Sequence, residues 1–242
     1  MTLSALDPRV RLGLAALTTL CLALVQQISS GLLGLVFGLG LLRLARPAVT
    51  SLPRRLAAVN IFVLFLWCVL PFTMPGEQIS FGWLAASLPG LRLSLLITLK
   101  ANAIFCVFQA LSGDMPPSAA GRALEGLGCP AKLVFLFLVT GRYVHLLMEE
   151  WQTLMDAAKL RGFAPRAGLR AWRVLACLLG LLLIRSHERS RRVYEAMSLR
   201  AFTGNFRTVT LFQTRPADAI LALVVLLFLA GIALTEMGLV HV

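Results

Sequence analysis

Residues Leu56–Phe72 read LAAVNIFVLFLWCVLPF, a stretch without a single charged side chain. Such a run approaches the roughly 20 apolar residues that carry a helix across a bilayer core. Four further stretches qualify or come close: Leu12–Val25, Ile28–Leu44, Leu91–Leu111 and Ala219–Leu234. The first two are short and almost adjacent, which predicts a tight helical hairpin. Across all 242 residues, 58% are hydrophobic and only 14% are charged, where a soluble domain has roughly 25% charged. Mean hydropathy is +0.83. The expectation is an all-α, polytopic membrane protein with about five transmembrane helices.

A net charge of +12 on a soluble chain would suggest nucleic acid, but the placement of the charges argues for membrane orientation instead. Arg9 and Arg11 precede the first span, and Arg43, Arg46, Arg54 and Arg55 crowd the connection between the second and third. The connection Thr73–Gly90 holds Glu77 and no Lys or Arg. Positive charge stays on the cytoplasmic side, so the N-terminal end and the Arg43–Arg55 turn are read as inside and Thr73–Gly90 as outside. Arg92 is an exception able to snorkel to the interface.

Residues 114–216 are then expected to be cytoplasmic or interfacial, between four spans in 1–113 and a last span in 217–242. The region contains two apolar runs, Leu133–Val139 and Leu175–Ile184. If both crossed, Lys159, Arg161, Arg166, Arg170 and Arg173 would be left outside, against the orientation rule. The pattern predicts two long helices lying along the inner face, although a seven-span arrangement stays open. Asp114 followed by Pro116 and Pro117 signals the start of a short helix, which Gly126, Gly128 and Pro130 close. Gly162, Phe163 and Pro165 signal the end of the first long helix. On the second, Glu188 with Arg192 and Arg191 with Glu195 have the four-residue spacing of ion pairs on a solvated face.

Inside this region AAKLRGF, Ala157–Phe163, returns 39 positions later as AMSLRAF, Ala196–Phe202. Each arginine, Arg161 and Arg200, follows small or apolar side chains by three and four residues: Ala157 and Ala158 in one copy, Ala196 and Met197 in the other. Residues so spaced share a helix face. Glu149 and Glu188 extend the match. Ala201 stands where the first copy has Gly162, which predicts a second helix running on through that position. Two copies of one signature suggest a two-pronged docking device.

The segments LDPRVRL (Leu6–Leu12), GRYVHLLMEE (Gly141–Glu150), AAKLRGF and SHERSRRVYEAMSLRAF (Ser186–Phe202) resemble the transmembrane T component of energy-coupling factor transporters, most closely its CbiQ type for cobalt. The resemblance covers nearly the whole chain. It implies a bacterial inner-membrane subunit whose two motifs end coupling helices that enter grooves of two ATP-binding cassette ATPase subunits. Arg161 and Arg200 would meet acidic groups there, with Ala157, Ala158, Gly162, Ala196, Met197 and Ala201 shaping the contact. It also implies a separate substrate-binding membrane subunit, and ATP and magnesium held by the ATPases rather than by this chain. Leu160, Leu199 and Ala201 depart from the family's usual Ala-Arg-Gly form.

The residues themselves agree with a non-catalytic role. No GxxxxGK[ST] phosphate loop occurs. His145, His187 and His241 lack ligand spacing, and Cys21, Cys68, Cys106, Cys129 and Cys177 form no CxxC pair, so the cysteines are read as small packing residues. Between Leu12 and Leu111 the notable polar groups are Gln26, Gln27, Lys100, Asn102 and Gln109, and no Asp, Glu or His lies within a proposed span. Ion pathways ordinarily need such groups. Lys100 and Asn102 are expected to make hydrogen bonds inside the bundle, and Gly34 with Gly38 to form a packing face. A coupling subunit for cobalt uptake is the reading. Nickel or vitamin transport is the alternative, followed by a stand-alone secondary transporter and a membrane-embedded enzyme.

Overall fold

The structure is a computed structural model that describes residues 6–45, 52–74, 78–81, 84–164, 168–202 and 216–239. Among these residues eight helices occur: α1 (Pro8–Leu24), α2 (Ile28–Ala45), α3 (Leu52–Thr73), α4 (Leu88–Ser112), α5 (Pro117–Gly126), α6 (Ala131–Leu160), α7 (Leu169–Leu199) and α8 (Pro216–Leu239). The all-α expectation holds apart from one antiparallel hairpin, β1 (Gln78–Phe81) with β2 (Leu84–Ser87), registered Gln78 to Ser87 and Phe81 to Leu84. The chain divides into two compact units, one of residues 1–123 with 211–242 and one of residues 124–210.

In the first unit α4 is the central post, and α1, α2 and α3 each pack along it. Small residues let α2 come close. A Cβ added at Gly38 would lie 3.0 Å from Cys106 Cβ and 3.1 Å from the Ala103 carbonyl oxygen. At Gly34 it would lie 2.6 Å from Leu22 Cδ2. Gly34 and Gly38 therefore form the expected packing face. The anticipated hairpin of α1 and α2 is tight only at its turn, because both helices spend their lengths on α4 rather than on each other. The core joins Leu14, Ala15 and Leu22 of α1 to Val107 and Leu111 of α4 and Val225 and Leu229 of α8. Phe37 stacks on Phe228, ring centroids 3.8 Å apart.

Polar side chains within the apolar segments find partners inside this unit. Asn60 and Asn102 exchange amide hydrogen bonds of 3.2 and 3.1 Å, Trp67 Nε1 donates to Thr98 Oγ1 at 2.8 Å, and Arg55 donates to Gln109 Oε1 at 3.1 Å. These three contacts form a seam between antiparallel α3 and α4. Lys100 Nζ donates to the Ala23 carbonyl at 3.1 Å, satisfying one of the acceptors that every helix end leaves over. Lys100 and Asn102 thus behave as expected. Asn60, Trp67 and Thr98 are the members of the seam that the sequence alone does not single out. The face of α3 away from the seam exposes Ile61, Phe62, Leu64 and Phe65, the composition of a helix solvated by lipid.

The two ends of the unit are tied by charge. Arg11, 5% exposed, donates from Nε to the Leu111 carbonyl at 2.9 Å at the end of α4, within electrostatic reach of Asp114. Asp7 caps α1 by accepting from the Arg9 amide, while its own amide donates to Asp218 Oδ1 on α8 at 2.9 Å. At the far end Glu236 Oε1 accepts from the Gln26 and Gln27 amides, both at 3.2 Å. A carboxylate at the start of α2 suits the partial positive charge of a helix N-terminus.

Among the described residues five helices are long and apolar enough to cross a membrane: α2, α3, α4, α6 and α8 through Glu236. The count matches the expectation but the membership does not. α1 has 17 residues, about 25 Å at 1.5 Å per residue, which leaves it below the length of a full span. α6 qualifies because its 30 residues extend the short run Leu133–Val139 in both directions. Length and composition do not orient α6, and the basic residues at its end do. A single cysteine at Lys159 in a cysteine-free background is therefore expected to be labelled only from the cytoplasmic side, as is one at Arg54. Labelling at Lys159 from outside would establish the seven-span arrangement. Arg46, Glu77, Arg166, Arg207, His241 and Val242 lie outside the described residues.

The second unit contains α6 and α7, about 45 Å each. They run antiparallel. Phe135 near the start of α6 meets Phe202 beyond the end of α7, centroids 5.5 Å apart, and Glu150 about two-thirds of the way along α6 meets Arg185 and Arg189. No residue of α7 is buried. The solvated face is as expected, but Glu188–Arg192 and Arg191–Glu195 close no ion pair among the described residues, since exposed pairs gain little from contact. Cys106 is a buried packing residue as predicted, whereas Cys68 and Cys177 are exposed.

Candidate functional site

The repeated signature forms two helix ends of the same construction. α6 stops at Leu160 and α7 at Leu199, and the capping residues Arg161 and Arg200 have φ/ψ of −87/14° and −92/18°. Beyond Arg161, the Gly162 amide donates to the Lys159 carbonyl at 2.9 Å and the Phe163 amide reaches back to the Ala158 carbonyl at 3.0 Å. Beyond Arg200, the Ala201 amide donates to the Ser198 carbonyl at 3.0 Å and the Phe202 amide to the Met197 carbonyl at 3.1 Å. Both are Schellman closures, which require a left-handed residue after the cap. Gly162 supplies it at φ 85° and Ala201 at φ 54°. The expectation that α7 continues through Ala201 is thereby corrected. The closure overrides the preference of an L side chain for φ below zero.

Ala201 is strained by its Cβ where Gly162 is not, since the left-handed region costs an L-residue roughly 1–2 kcal/mol. Ala201→Gly is accordingly expected to stabilise the end of α7 by about 1 kcal/mol, less the entropy that glycine adds to the unfolded chain. Slower amide exchange at Phe202 would register it. Faster exchange would mean that the alanine sits there without strain.

Each tip presents the same pair of side chains to solvent. Leu160 is 90% exposed and Leu199 89%, each beside an exposed arginine. Neither Arg161 nor Arg200 meets a carboxylate among the described residues. The nearby ion pair of Lys159 with Asp156, 2.9 Å, is exposed and contributes little. Ala157 and Ala196 are exposed on the turn before each tip, with Ala158 and Met197 half-buried toward the partner helix. A leucine and an unpaired guanidinium on a closed helix end suit a pocket that is acidic and apolar together.

The two tips are not brought together. Because α6 and α7 are antiparallel, Arg161 and Arg200 stand at opposite ends of the pair, each 11 residues beyond the crossing at Glu150 and Arg189 (161 − 150 and 200 − 189). That spacing gives two arms of about 16 Å. The sequence reading extended the repeat through Glu149 and Glu188, which are exposed. The residues that matter are one position further on. Glu150 and Arg189 are also 39 apart and opposite in charge, and that signal was present in the sequence. Among the described residues no cluster of three or more His, Cys, Asp or Glu is placed to hold a metal ion.

A bundle of apolar helices joined to a pair of long, cation-tipped helices defines a multi-pass membrane protein. The chain belongs to the cobalt transport protein family CbiQ, whose model matches residues 2–211. It is similar to the energy-coupling factor transporter transmembrane protein EcfT of Leuconostoc gelidum, 31% identical over 157 residues, covering 59% of this chain and 58% of that one. It is similar also to the cobalt transport protein CbiQ of Rhodobacter capsulatus, 31% identical over 55% of this chain and 53% of that one. The nickel permease LarQ of Lactiplantibacillus plantarum is 30% identical over 48% of this chain and 39% of its own. The chain thus spans about half the length of these relatives.

Proposed function

We propose that the chain is the transmembrane coupling subunit of an ATP-driven uptake transporter of the energy-coupling factor type, with cobalt ions as the cargo. The observation that carries this reading is the pair of identically closed helix ends, each with an exposed leucine and arginine, at equal distances from one crossing. Two equal tips suit two partner subunits of one kind. In this reading each tip enters an acidic groove on an ATP-binding cassette ATPase. The ATPases hold ATP and magnesium, and this chain contributes no catalytic group. ATP-driven closure changes the separation of the grooves, and a coupling element responds only if the two ATPase states contact it differently. Arms of α6 and α7 fixed at a crossing meet that requirement. Binding of the metal falls to a separate membrane subunit, because the polar groups of α3 and α4 are occupied with one another. A nickel cargo is the second reading, favoured by the likeness to a nickel permease.

The test is reconstitution. The chain co-expressed with its ATPases is expected to carry them through purification, and ATP-dependent cobalt uptake is expected only when a substrate-binding membrane subunit is present. Metal uptake by the chain alone would make it a secondary transporter instead. Uptake of nickel in preference to cobalt would replace the cargo and leave the mechanism.

A further inference from the structure

Glu150 holds an ion pair to each of two arginines. Its Oε2 lies 3.0 Å from Arg189 NH2 and its Oε1 3.6 Å from Arg185 NH1, and its side chain is 14% exposed. Arg185 and Arg189 are four residues apart, one turn of α7, so they present a two-point grip to the two oxygens of one carboxylate. A carboxylate held at both oxygens cannot swing toward one arginine without leaving the other. The grip therefore specifies the register and the angle of α6 against α7, where a single contact would specify only proximity. Leu154, one turn further along α6 and 6% exposed, seats the crossing from below.

On either side of this point the helices part. Toward Arg200 they leave a groove of about 540 Å³, lined by Val139, Tyr143 and Leu147 on one side and Val193 and Met197 on the other. Toward Arg161 they leave one of about 680 Å³, bounded by Ala157, Ala158, Ala171 and Val174. The contact of Phe135 with Phe202 closes the first groove at its far end, but an apolar ring contact is non-directional and tolerates sliding. With grooves on both sides, packing between the helices is concentrated at Leu154 and at the contact of Phe135 with Phe202, and neither apolar contact fixes the crossing angle. It falls to the charged clamp.

We propose that Glu150 is a positioning residue: its carboxylate, clamped by Arg185 and Arg189, sets the angle at which α6 and α7 cross and so the separation of Arg161 and Arg200. The arms amplify that angle, since a change of about ten degrees displaces the end of a 16 Å arm by about 3 Å. The role in transport rests on the reading of the two arginines as docking points. The control of the angle does not.

The angle is read by spin labels at Leu133→Cys and Leu199→Cys, exposed positions on the same side of the crossing whose separation follows the angle directly, in a background without the five native cysteines, with the intact chain in lipid nanodiscs. The parent is expected to give one narrow distance. Glu150→Gln, isosteric but uncharged, is expected to broaden that distribution, as is Glu150→Arg alone. Glu150→Arg combined with both Arg185→Glu and Arg189→Glu, which sets one guanidinium against two carboxylates, is expected to restore the narrow distance, which a loss of folding would not allow. An unchanged distribution in Glu150→Gln, or an exchange that fails to restore it, would overturn the proposal. In the assembled transporter, without labels, Glu150→Gln is expected to retain its ATPases and to move several-fold less metal per ATP hydrolysed. An unchanged ratio would overturn the role in coupling. If the ATPases instead fail to depend on Arg161 and Arg200, the docking reading falls and the distance result stands.

Discussion

Arg161→Glu and Arg200→Glu introduced together are expected to reduce recovery of the ATPase subunits to background and to remove metal uptake, while the chain is inserted in the membrane as before. Both side chains are exposed at closed helix ends, and neither meets a carboxylate among the described residues, so reversal disturbs little within the chain itself. In a groove the same change places a carboxylate against acidic groups. Loss of one partner of a buried, hydrogen-bonded charge pair costs about 2–5 kcal/mol, which is roughly 30-fold to several thousand-fold in affinity. Each single variant should lie in that range, with alanine milder than glutamate. Reversals at Arg191 and Arg192, exposed on the solvated face of α7, are expected to be nearly silent. Co-purification and uptake at parental levels in the double variant would dismiss the docking role.

Arg11→Met is expected to destabilise the helical bundle by about 2 kcal/mol, the worth of a hydrogen bond to a charged group together with the acceptor it leaves unsatisfied. Methionine keeps the length and the apolar stem but gives the Leu111 carbonyl no donor. Asp114 loses its nearby cation as well. The buried position of Arg11 makes this an effect on stability rather than on docking. A lower midpoint of thermal unfolding in detergent, with ATPase affinity retained in the surviving fraction, is the expected result. Arg43→Met, at an exposed position, is the control and should leave the midpoint in place. A midpoint unchanged by Arg11→Met would show that water reaches the Leu111 carbonyl.

The apolar runs announced α3, α4 and α8 because each is long enough that no other structure accommodates its composition. α6 was harder to read. Gly141, Arg142 and His145 interrupt its hydrophobic run, but an interruption of polarity is not an interruption of backbone, and the helix passes through all three. Proline and glycine signals correctly located both ends of α5 and the end of α6. The end of α7 was missed because its closing residue is alanine, and the left-handed turn there is set by hydrogen bonds from Ala201 and Phe202 rather than by the residue's own preference. The arginine pair was legible as a repeat. Its antiparallel arrangement was not, since a repeat in sequence is silent on which elements face each other; Asn60 carries no local signature, whereas the 39-residue spacing of Glu150 and Arg189 was there to be read.

The amide of Asp7 donates to Asp218 across 211 positions of sequence, and Glu236 accepts from the backbone at Gln26 and Gln27. Both ends of the first helix are therefore secured by the last one. During synthesis α1 is made before α8, so two of the carboxylate contacts that hold it arrive only when α8 is translated. Until then the Gln26 and Gln27 amides have no Glu236 to bond and must stay with water or with the insertion machinery. A chain interrupted before Pro216 would carry a complete α4 and both arginine tips, with α1 held by α4 alone through Arg11 and Lys100. Such a fragment lacks the carboxylates that close the bundle, so the bundle is finished only once α8 is in place.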